Sequence, residues 1–139
     1  MILDTNVFSA IMKLTDNPVI QKWLASNNPS RLSITAITVF EVRFGIEKSP
    51  AGRKRTALEE SFEQLMKDFA AKPDRILALD TGAANHAGRI QAKRHKAGIN
   101  IELPDTMIGA IAVSRGLPLV TRNVRHFDDL PVTLINPWA

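Results

Sequence analysis

The sequence predicts an α/β protein with a central, mostly parallel sheet of about five strands and helices on both faces. Short apolar runs typical of buried strands alternate with longer segments of helical periodicity. The chain has 139 residues, the size of a single domain spanning 1–139. Hydrophobic residues make up 45% of the chain and charged residues 23%, as in ordinary globular proteins. No internal repeat or low-complexity tract interrupts this pattern.

Breaks and caps delimit the elements in the first half of the chain. Asn17 followed by Pro18 is typical of a helix start. An Asn-Asn-Pro-Ser loop lies at 27–30 and a Ser-Pro-Ala-Gly turn at 49–52. The predicted elements are strand 1–3, helix 7–14, helix 18–27, strand 32–37 and helix 39–48.

The second half continues the alternation. Asp80 is typical of a helix cap, Pro104 suits a first helical turn, and Gly98 and Gly116 are typical of helix ends. The predicted elements are helix 53–71, strand 75–79, helix 81–98, helix 104–116, strand 117–121 and strand 132–135. Residues 99–103 fit neither pattern.

Three acids fall at comparable places in this order. Asp4 directly follows the first strand, Glu41 opens the helix after the second, and Asp105 lies in the first turn of the helix before the fourth. Asn123 follows the fourth strand. Ligands of open α/β sheets bind outside the carboxyl ends of the strands, so these side chains could face one edge of the sheet.

The residue types at this edge favour a hard metal ion. Crowded carboxylates raise one another's pKa values unless a cation lies among them. The chain has no Cys, and oxygen ligands favour Mg²⁺ or Mn²⁺, ions that support displacement at phosphorus. The formal net charge of +4 permits contact with RNA or DNA. This combination favours a nuclease.

Each acid also has a purely structural interpretation. Asp is a common N-cap, so Asp4 could do no more than cap the next helix. Thr38 and Glu41 form a Thr-x-x-Glu capping-box pattern, in which Glu41 would only accept the backbone N–H of Thr38. The local sequence slightly favours that role for Glu41. We expect Asp80 to be a cap outside the site.

The remaining polar features indicate surface roles. Two basic clusters are expected to form solvated helix faces rather than nucleic-acid contacts. One lies at 53–55, and the other consists of Arg89, Lys93, Arg94 and Lys96. His126 lies close to Asn123 and could donate a proton, but a surface histidine is expected.

No apolar run approaches the roughly 18 residues of a membrane helix, and no signal peptide is evident. We therefore expect a cytoplasmic protein without a membrane contact.

Short motifs recur in a set order along the whole chain. They are Ile-Leu-Asp-Thr-Asn at 2–6, Thr-Val-Phe-Glu at 38–41, Leu-Pro-Asp-Thr-Met-Ile-Gly-Ala at 103–110, Leu-Val-Thr-Arg-Asn at 119–123 with Phe127, and Asn-Pro-Trp at 136–138. This set resembles the PIN-domain family and, within it, the VapC and FitB-like toxins of prokaryotic toxin–antitoxin pairs.

The resemblance implies a three-layer α/β/α sandwich and a Mg²⁺- or Mn²⁺-dependent endoribonuclease. It also implies a homodimer, inhibited by a small VapB-like antitoxin encoded beside it, in a complex that could be of higher order. By motif matching, Asn123 stands where many members carry a fourth acid, so it can offer a carbonyl oxygen but no charge. Asp4, Glu41 and Asp105 match the acidic metal ligands, and Thr5, Asn6 and Thr121 match supporting polar residues.

Two other classes of protein share parts of this pattern. A receiver domain would have an acidic pair after the first strand and a Lys after the last, and a haloacid-dehalogenase-type phosphatase would have Asp-x-Asp where this chain has Asp4-Thr5-Asn6. A non-catalytic nucleic-acid-binding or scaffolding protein on the same fold is a further alternative, with Asn123 as its signature.

A partner surface is also predicted. Helices 7–14, 18–27 and 39–48 could leave an apolar groove that a partner helix or extended segment fills. An arginine of that partner could then reach the acidic site and compete with the metal.

Overall fold

Helices and strands alternate along the chain in a computed structural model that describes all residues from 1 to 139. Three short 3₁₀ turns lie at Leu14–Asp16, Pro29–Arg31 and Val124–His126. The strands are β1 (Ile2–Leu3), β2 (Ile34–Thr35), β3 (Ile76–Leu77), β4 (Leu119–Val120) and β5 (Leu134–Ile135). The helices are α1 (Thr5–Met12), α2 (Pro18–Ala25), α3 (Ala36–Lys48), α4 (Arg53–Ala70), α5 (Thr81–Lys96) and α6 (Leu103–Arg115).

All strand pairs are parallel. A three-stranded ladder has the order β1-β4-β5, and β2 pairs with β3. A bridge between Ile2 and Ser33 joins the two ladders, with the Leu3 N–H donating to the Ser33 carbonyl over 2.8 Å. The joined order is β3-β2-β1-β4-β5, so all five carboxyl ends lie at one edge, and the predicted fold class is confirmed. Each ladder segment is two residues long, shorter than the predicted strands.

The sheet separates two hydrophobic clusters. Ile2 and Leu119 belong to one cluster, whereas their neighbours Leu3 and Val120 belong to the other. Successive residues of a strand point to opposite faces, so β1 and β4 each contribute to both cores. Helices α1 to α4 cover one face and α5 and α6 pack on the other. The molecule is therefore a three-layer α/β/α sandwich.

Helix starts and ends follow local chemistry at most boundaries. The Asp80 carboxylate accepts the Ala83 backbone N–H over 2.9 Å and caps α5, as predicted. Gly98 and Gly116 adopt φ values of 72° and 63° after α5 and α6, a conformation that glycine adopts without steric cost. None of the six helices combines the length and hydropathy that crossing a membrane requires.

Two predictions are wrong, one about where a helix begins and one about the exposure of an arginine. Helix α3 begins at Ala36, earlier than predicted, because the Thr35 side chain accepts the Thr38 N–H over 3.2 Å. Arg94, assigned to a solvated basic face, is only 2% exposed. The other three members of that basic cluster are exposed, as expected.

Candidate active site

The three predicted acids approach one another from three elements at the carboxyl edge of the sheet. Asp4 is the N-cap of α1, Glu41 lies in the second turn of α3, and Asp105 lies in the first turn of α6. The charge of Asp105 raises the pKa of both other carboxyls, and the charge of Glu41 raises that of Asp4. The three acids are thus close enough for the charge of one to oppose the ionisation of Asp4 and Glu41.

Asp4 is the buried member of this acidic cluster, at 2% exposure. One carboxylate oxygen accepts the Thr5 backbone N–H over 2.7 Å, and the other accepts the Thr121 hydroxyl over 2.8 Å. Burial outweighs these hydrogen bonds and, with the charges of its acidic neighbours, raises the pKa of Asp4 to about 6. The residue is therefore a helix cap and part of the acidic cluster at once.

The side chain of Glu41 is held by α1 and not by its own helix. The Thr5 hydroxyl donates to Glu41 Oε1 over 2.7 Å and lies 2.9 Å from the Thr38 hydroxyl. Since the Thr38 N–H is bonded to Thr35, the capping-box role predicted for Glu41 is wrong. Burial is the main cause that raises the Glu41 pKa, followed by the charge of Asp105, while the Thr5 hydrogen bond lowers it.

Asp105 has a partner that the sequence analysis missed. Its Oδ2 lies 2.6 Å from His126 Nδ1, and the two side chains are 19% and 43% exposed. His126 is partly exposed, but its ring is directed at the acidic cluster and is not free in solvent. The only signal in the sequence was its closeness to Asn123.

The buried Arg94 guanidinium fixes the segment that carries His126. It donates to both carboxylate oxygens of Asp129 over 2.8 and 2.7 Å, to the His126 carbonyl over 2.7 Å and to the Thr106 hydroxyl over 2.9 Å. These bonds lower the pKa of Asp129. Because Thr106 directly follows Asp105, Arg94 links both sides of the Asp105–His126 contact.

The other predicted residues lie around this cluster. Thr121 is buried and accepts the Asn123 backbone N–H over 3.0 Å while its hydroxyl donates to Asp4. The Asn123 side chain lines an open cavity beside His126 and bonds to none of the acids. Asn6 is exposed and lines a second cavity.

The cluster has the donors for a divalent cation, but the side chains do not surround one position. No three acidic or histidine side chains are spaced to ligate one ion together. No Lys or Arg forms an ion pair with Asp4, Glu41 or Asp105. Partly buried carboxylates without a Lys or Arg partner suit Mg²⁺, which usually keeps several waters and takes one or two protein carboxylates. The residues therefore fit a hydrated ion.

A parallel three-layer fold with acids at the carboxyl edge of its sheet defines the class of this protein. A family model described as "PIN domain" matches residues 1–132. The chain belongs to the PIN-domain family, which confirms the resemblance found in the sequence.

Several relatives are similar over nearly their whole length. The tRNA(fMet)-specific endonuclease VapC of Salmonella typhimurium is 34% identical, with 99% of this chain and 96% of that protein covered. Toxin FitB of Neisseria gonorrhoeae is 32% identical, with 99% and 98% covered. A structure of FitAB bound to a DNA fragment superposes with a TM-score of 0.86 at 32% identity, with 99% and 95% covered.

Proposed function

We propose that this protein is a Mg²⁺- or Mn²⁺-dependent endoribonuclease and the toxin of a type II toxin–antitoxin pair. The observation that carries the proposal is the convergence of Asp4, Glu41 and Asp105, none of which pairs with a Lys or Arg. The VapC relative, which is named as an endonuclease specific for tRNA(fMet), supports the same activity. Action on RNA would place the protein in the cytoplasm.

In this proposal Asp4, Glu41 and Asp105 hold the metal, directly or through water. Asn123 can add a carbonyl oxygen but no charge, which favours one metal over two. Bound there, a divalent ion would supply two effects: a lower pKa for a bound water and neutralisation of charge on a phosphoryl oxygen. Thr121 orients Asp4 through its hydroxyl.

Hydrolysis needs a water oxygen to bond to phosphorus while the bond to the leaving oxygen breaks and that oxygen gains a proton. Asp105 or Glu41 can accept a hydrogen bond from the water and orient it. Thr5 fixes the Glu41 carboxylate through its 2.7 Å hydrogen bond. Asn6 is exposed, follows Asp4 by two residues and lines an open cavity, where its amide can contact substrate.

The test is cleavage of total RNA by the purified chain in Mg²⁺, in Mn²⁺ and in EDTA. We expect discrete fragments with either metal, none in EDTA, and loss of cleavage in Asp105→Asn. The matched control is Asp128→Asn. The carboxylate of Asp128 is exposed and forms no ion pair, and it lies in a segment near the site. That variant should cleave like the wild type.

Two results would contradict the nuclease proposal. Cleavage that persists in EDTA would exclude the metal role, and full activity of Asp105→Asn would exclude this site. If folded, partner-free protein cleaves no RNA, a calorimetric titration with Mg²⁺ tests whether the site binds the ion. Binding of the ion points to a substrate missing from the mixture, whereas no binding points to the non-catalytic alternative.

We propose that the antitoxin binds a groove between α1, α3 and α4. Cavities of about 220 and 370 Å³ share Met12, Lys13 and Leu58. The wall from α3 includes Val42 and Ile46, and α4 replaces α2 in the groove predicted from sequence. The apolar walls suit an amphipathic helix of a small partner. The FitAB neighbour has two components by its name.

Gly45 gives a direct test of this groove, because it lines the smaller cavity and a Cβ added there would meet no atom within 4 Å. We expect Gly45→Leu to fold and to lose co-purification with the product of the adjacent gene. Gly88→Leu on α5 is the matched control, since a Cβ there also meets nothing within 4 Å. If Gly45→Leu retains the partner, the partner does not bind in this groove.

We also propose that the chain forms a homodimer through α3. Phe40 and Phe44 are 64% and 56% exposed, and their rings stack with centroids 6.3 Å apart. Large aromatic side chains exposed together are typical of protein interfaces. Sedimentation equilibrium should give a dimer that dissociates in Phe44→Glu. A dimer unaffected by this change would place the interface on another surface.

A further inference from the structure

Two acids of the cluster are held by hydroxyl groups from other parts of the chain. The Thr121 hydroxyl donates to Asp4 over 2.8 Å, and the Thr5 hydroxyl donates to Glu41 over 2.7 Å. Carboxylates that ligate a metal are usually fixed in this way by outer hydrogen bonds, which orient them before the metal binds. The third acid, Asp105, needs a donor of the same kind.

His126 is the side chain that occupies this position beside Asp105. Its Nδ1 lies 2.6 Å from Oδ2 of the carboxylate. An ionised carboxylate can only accept hydrogen bonds, so the proton of this contact is on Nδ1. Hydrogen bonds to an ionised carboxylate are about twice as strong as those between neutral groups, so the contact restricts rotation of the carboxylate. It takes Oδ2 and leaves Oδ1 for a metal or one of its waters.

The segment that carries His126 lies along the face of α6 that carries Asp105. Asp105 and Gly109 are four residues apart and therefore share one face of the helix. Phe127 is fully buried, and a Cβ added at Gly109 would lie 3.4 Å from its ring and 2.5 Å from a methyl group of Leu130. Glycine at this position thus permits the close approach that places His126 beside Asp105.

The buried Arg94 guanidinium fixes the same contact from α5. It donates to the His126 carbonyl over 2.7 Å and to the hydroxyl of Thr106, the residue after Asp105, over 2.9 Å. Two hydrogen bonds to the Asp129 carboxylate hold the guanidinium itself. One rigid group therefore holds the backbone of His126 and the residue next to Asp105, so the contact is formed before any metal binds.

We infer that His126 is a positioning residue for Asp105, which holds Oδ2 so that Oδ1 is the oxygen offered to the metal. His126 acts through Asp105, because its Nδ1 is engaged there. A carboxylate fixed in advance loses less rotational freedom when it binds an ion, so His126 raises the affinity for the metal. This inference rests on the proposed nuclease function and assigns a further residue to that site.

The test is Mn²⁺ binding by the purified chain without RNA or partner, followed by electron paramagnetic resonance of the free ion. His126→Phe retains an aromatic ring and removes the donor, so we expect binding to weaken by on the order of tenfold. His126→Asn places an amide N–H where Nδ1 lies and should retain most of the affinity. The amide of His126→Gln lies instead near the place of Nε2, so this variant should bind as weakly as His126→Phe. The matched control is His95→Phe, which changes an exposed histidine of α5.

Two further measurements separate positioning from loss of structure. The urea midpoint of His126→Phe in EDTA should equal that of the wild type, because the His126 side chain is 43% exposed. The Mn²⁺ concentration that gives half the maximal rate of RNA cleavage should rise by the same factor as the dissociation constant. The rate of His126→Phe should recover at saturating Mn²⁺, which a misfolded site would not allow.

The contact itself is tested by NMR of the imidazole nitrogens in the metal-free protein. Nδ1 of His126 should carry a proton, and Asp105→Ala should shift the His126 signals while those of His95 stay unchanged. A His126 Nδ1 without a proton, or His126 signals that do not respond to Asp105→Ala, would overturn the inference.

The outcomes separate the role of His126 from the nuclease proposal. If the wild type binds Mn²⁺ and cleaves RNA but His126→Phe binds the ion equally tightly, the positioning role is excluded and the nuclease remains. If the wild type binds no metal, both proposals fail. Weakened Mn²⁺ binding in His126→Phe with recovery in His126→Asn would support the role of His126 even if no RNA is cleaved.

Discussion

Neutralising Asp4 should stabilise the metal-free protein. Burial raises its pKa from the ordinary 3.8 to about 6, so the folded state holds the proton more tightly than the unfolded chain. The stability from this group is fully present below pH 3.8 and is lost as the pH rises through about 6. At 1.36 kcal/mol for each pH unit, the loss at neutral pH is about 3 kcal/mol. Asp4→Asn removes the charge and retains an oxygen that can cap α1.

Urea denaturation in EDTA between pH 4 and pH 7.5 measures this effect. The free energy of unfolding of Asp4→Asn should exceed that of the wild type by up to about 3 kcal/mol at neutral pH, and the difference should vanish near pH 4. Asp128→Asn, which neutralises an exposed carboxylate, should follow the wild type throughout. An Asp4→Asn variant that is less stable at pH 7, or a difference independent of pH, would refute the burial argument.

Three further predictions concern the same site. Mg²⁺ at 100 times its dissociation constant should raise the free energy of unfolding of the wild type by about 2.7 kcal/mol, and that of Asp4→Asn much less, as measured by urea denaturation. An equal increase in both proteins would exclude Asp4 as a ligand. Thr5→Val should lower RNA cleavage because it removes the hydroxyl that holds Glu41, whereas Thr5→Ser should retain it; equal loss in both would contradict that role. Arg94→Lys should lower the free energy of unfolding by on the order of 3 kcal/mol, because Lys cannot make the paired bonds to Asp129. A change below about 1 kcal/mol would show that this buried network contributes little to stability.

Strand and helix order could be predicted because it depends on local periodicity. All five strands and six helices exist near the predicted positions. The predicted strands were too long because apolar residues also lie beyond the ladder. Val132, for example, packs against a core cluster before β5 begins.

The start of α3 shows why local motifs mislead. Thr35 and Thr38 both have a side chain suited to capping, and the sequence cannot choose between them. Pairing of Thr35 with Leu77 ends β2 there and makes Thr35 the cap. Glu41 then lies in the second turn, out of capping position, where the Thr5 hydroxyl holds it.

Arg94 shows the same limit for charge patterns. Its neighbours in sequence are basic and exposed, so the cluster resembles a solvated face. Asp129 lies 35 residues away along the chain, and its carboxylate makes burial of the guanidinium favourable. No local pattern contains that partner.

The sequence by itself determined the parallel α/β architecture and the position of the acids at one edge of the sheet. The order of strands and helices follows from local periodicity. In a parallel sheet it places both the residues that follow a strand and the first turn of a helix that leads into a strand at the same edge. Only the tertiary structure decided which side chains meet there. The contacts of Thr5 with Glu41 and of Asp105 with His126 join residues 36 and 21 positions apart. Such contacts depend on how the helices pack on the sheet, which periodicity does not specify.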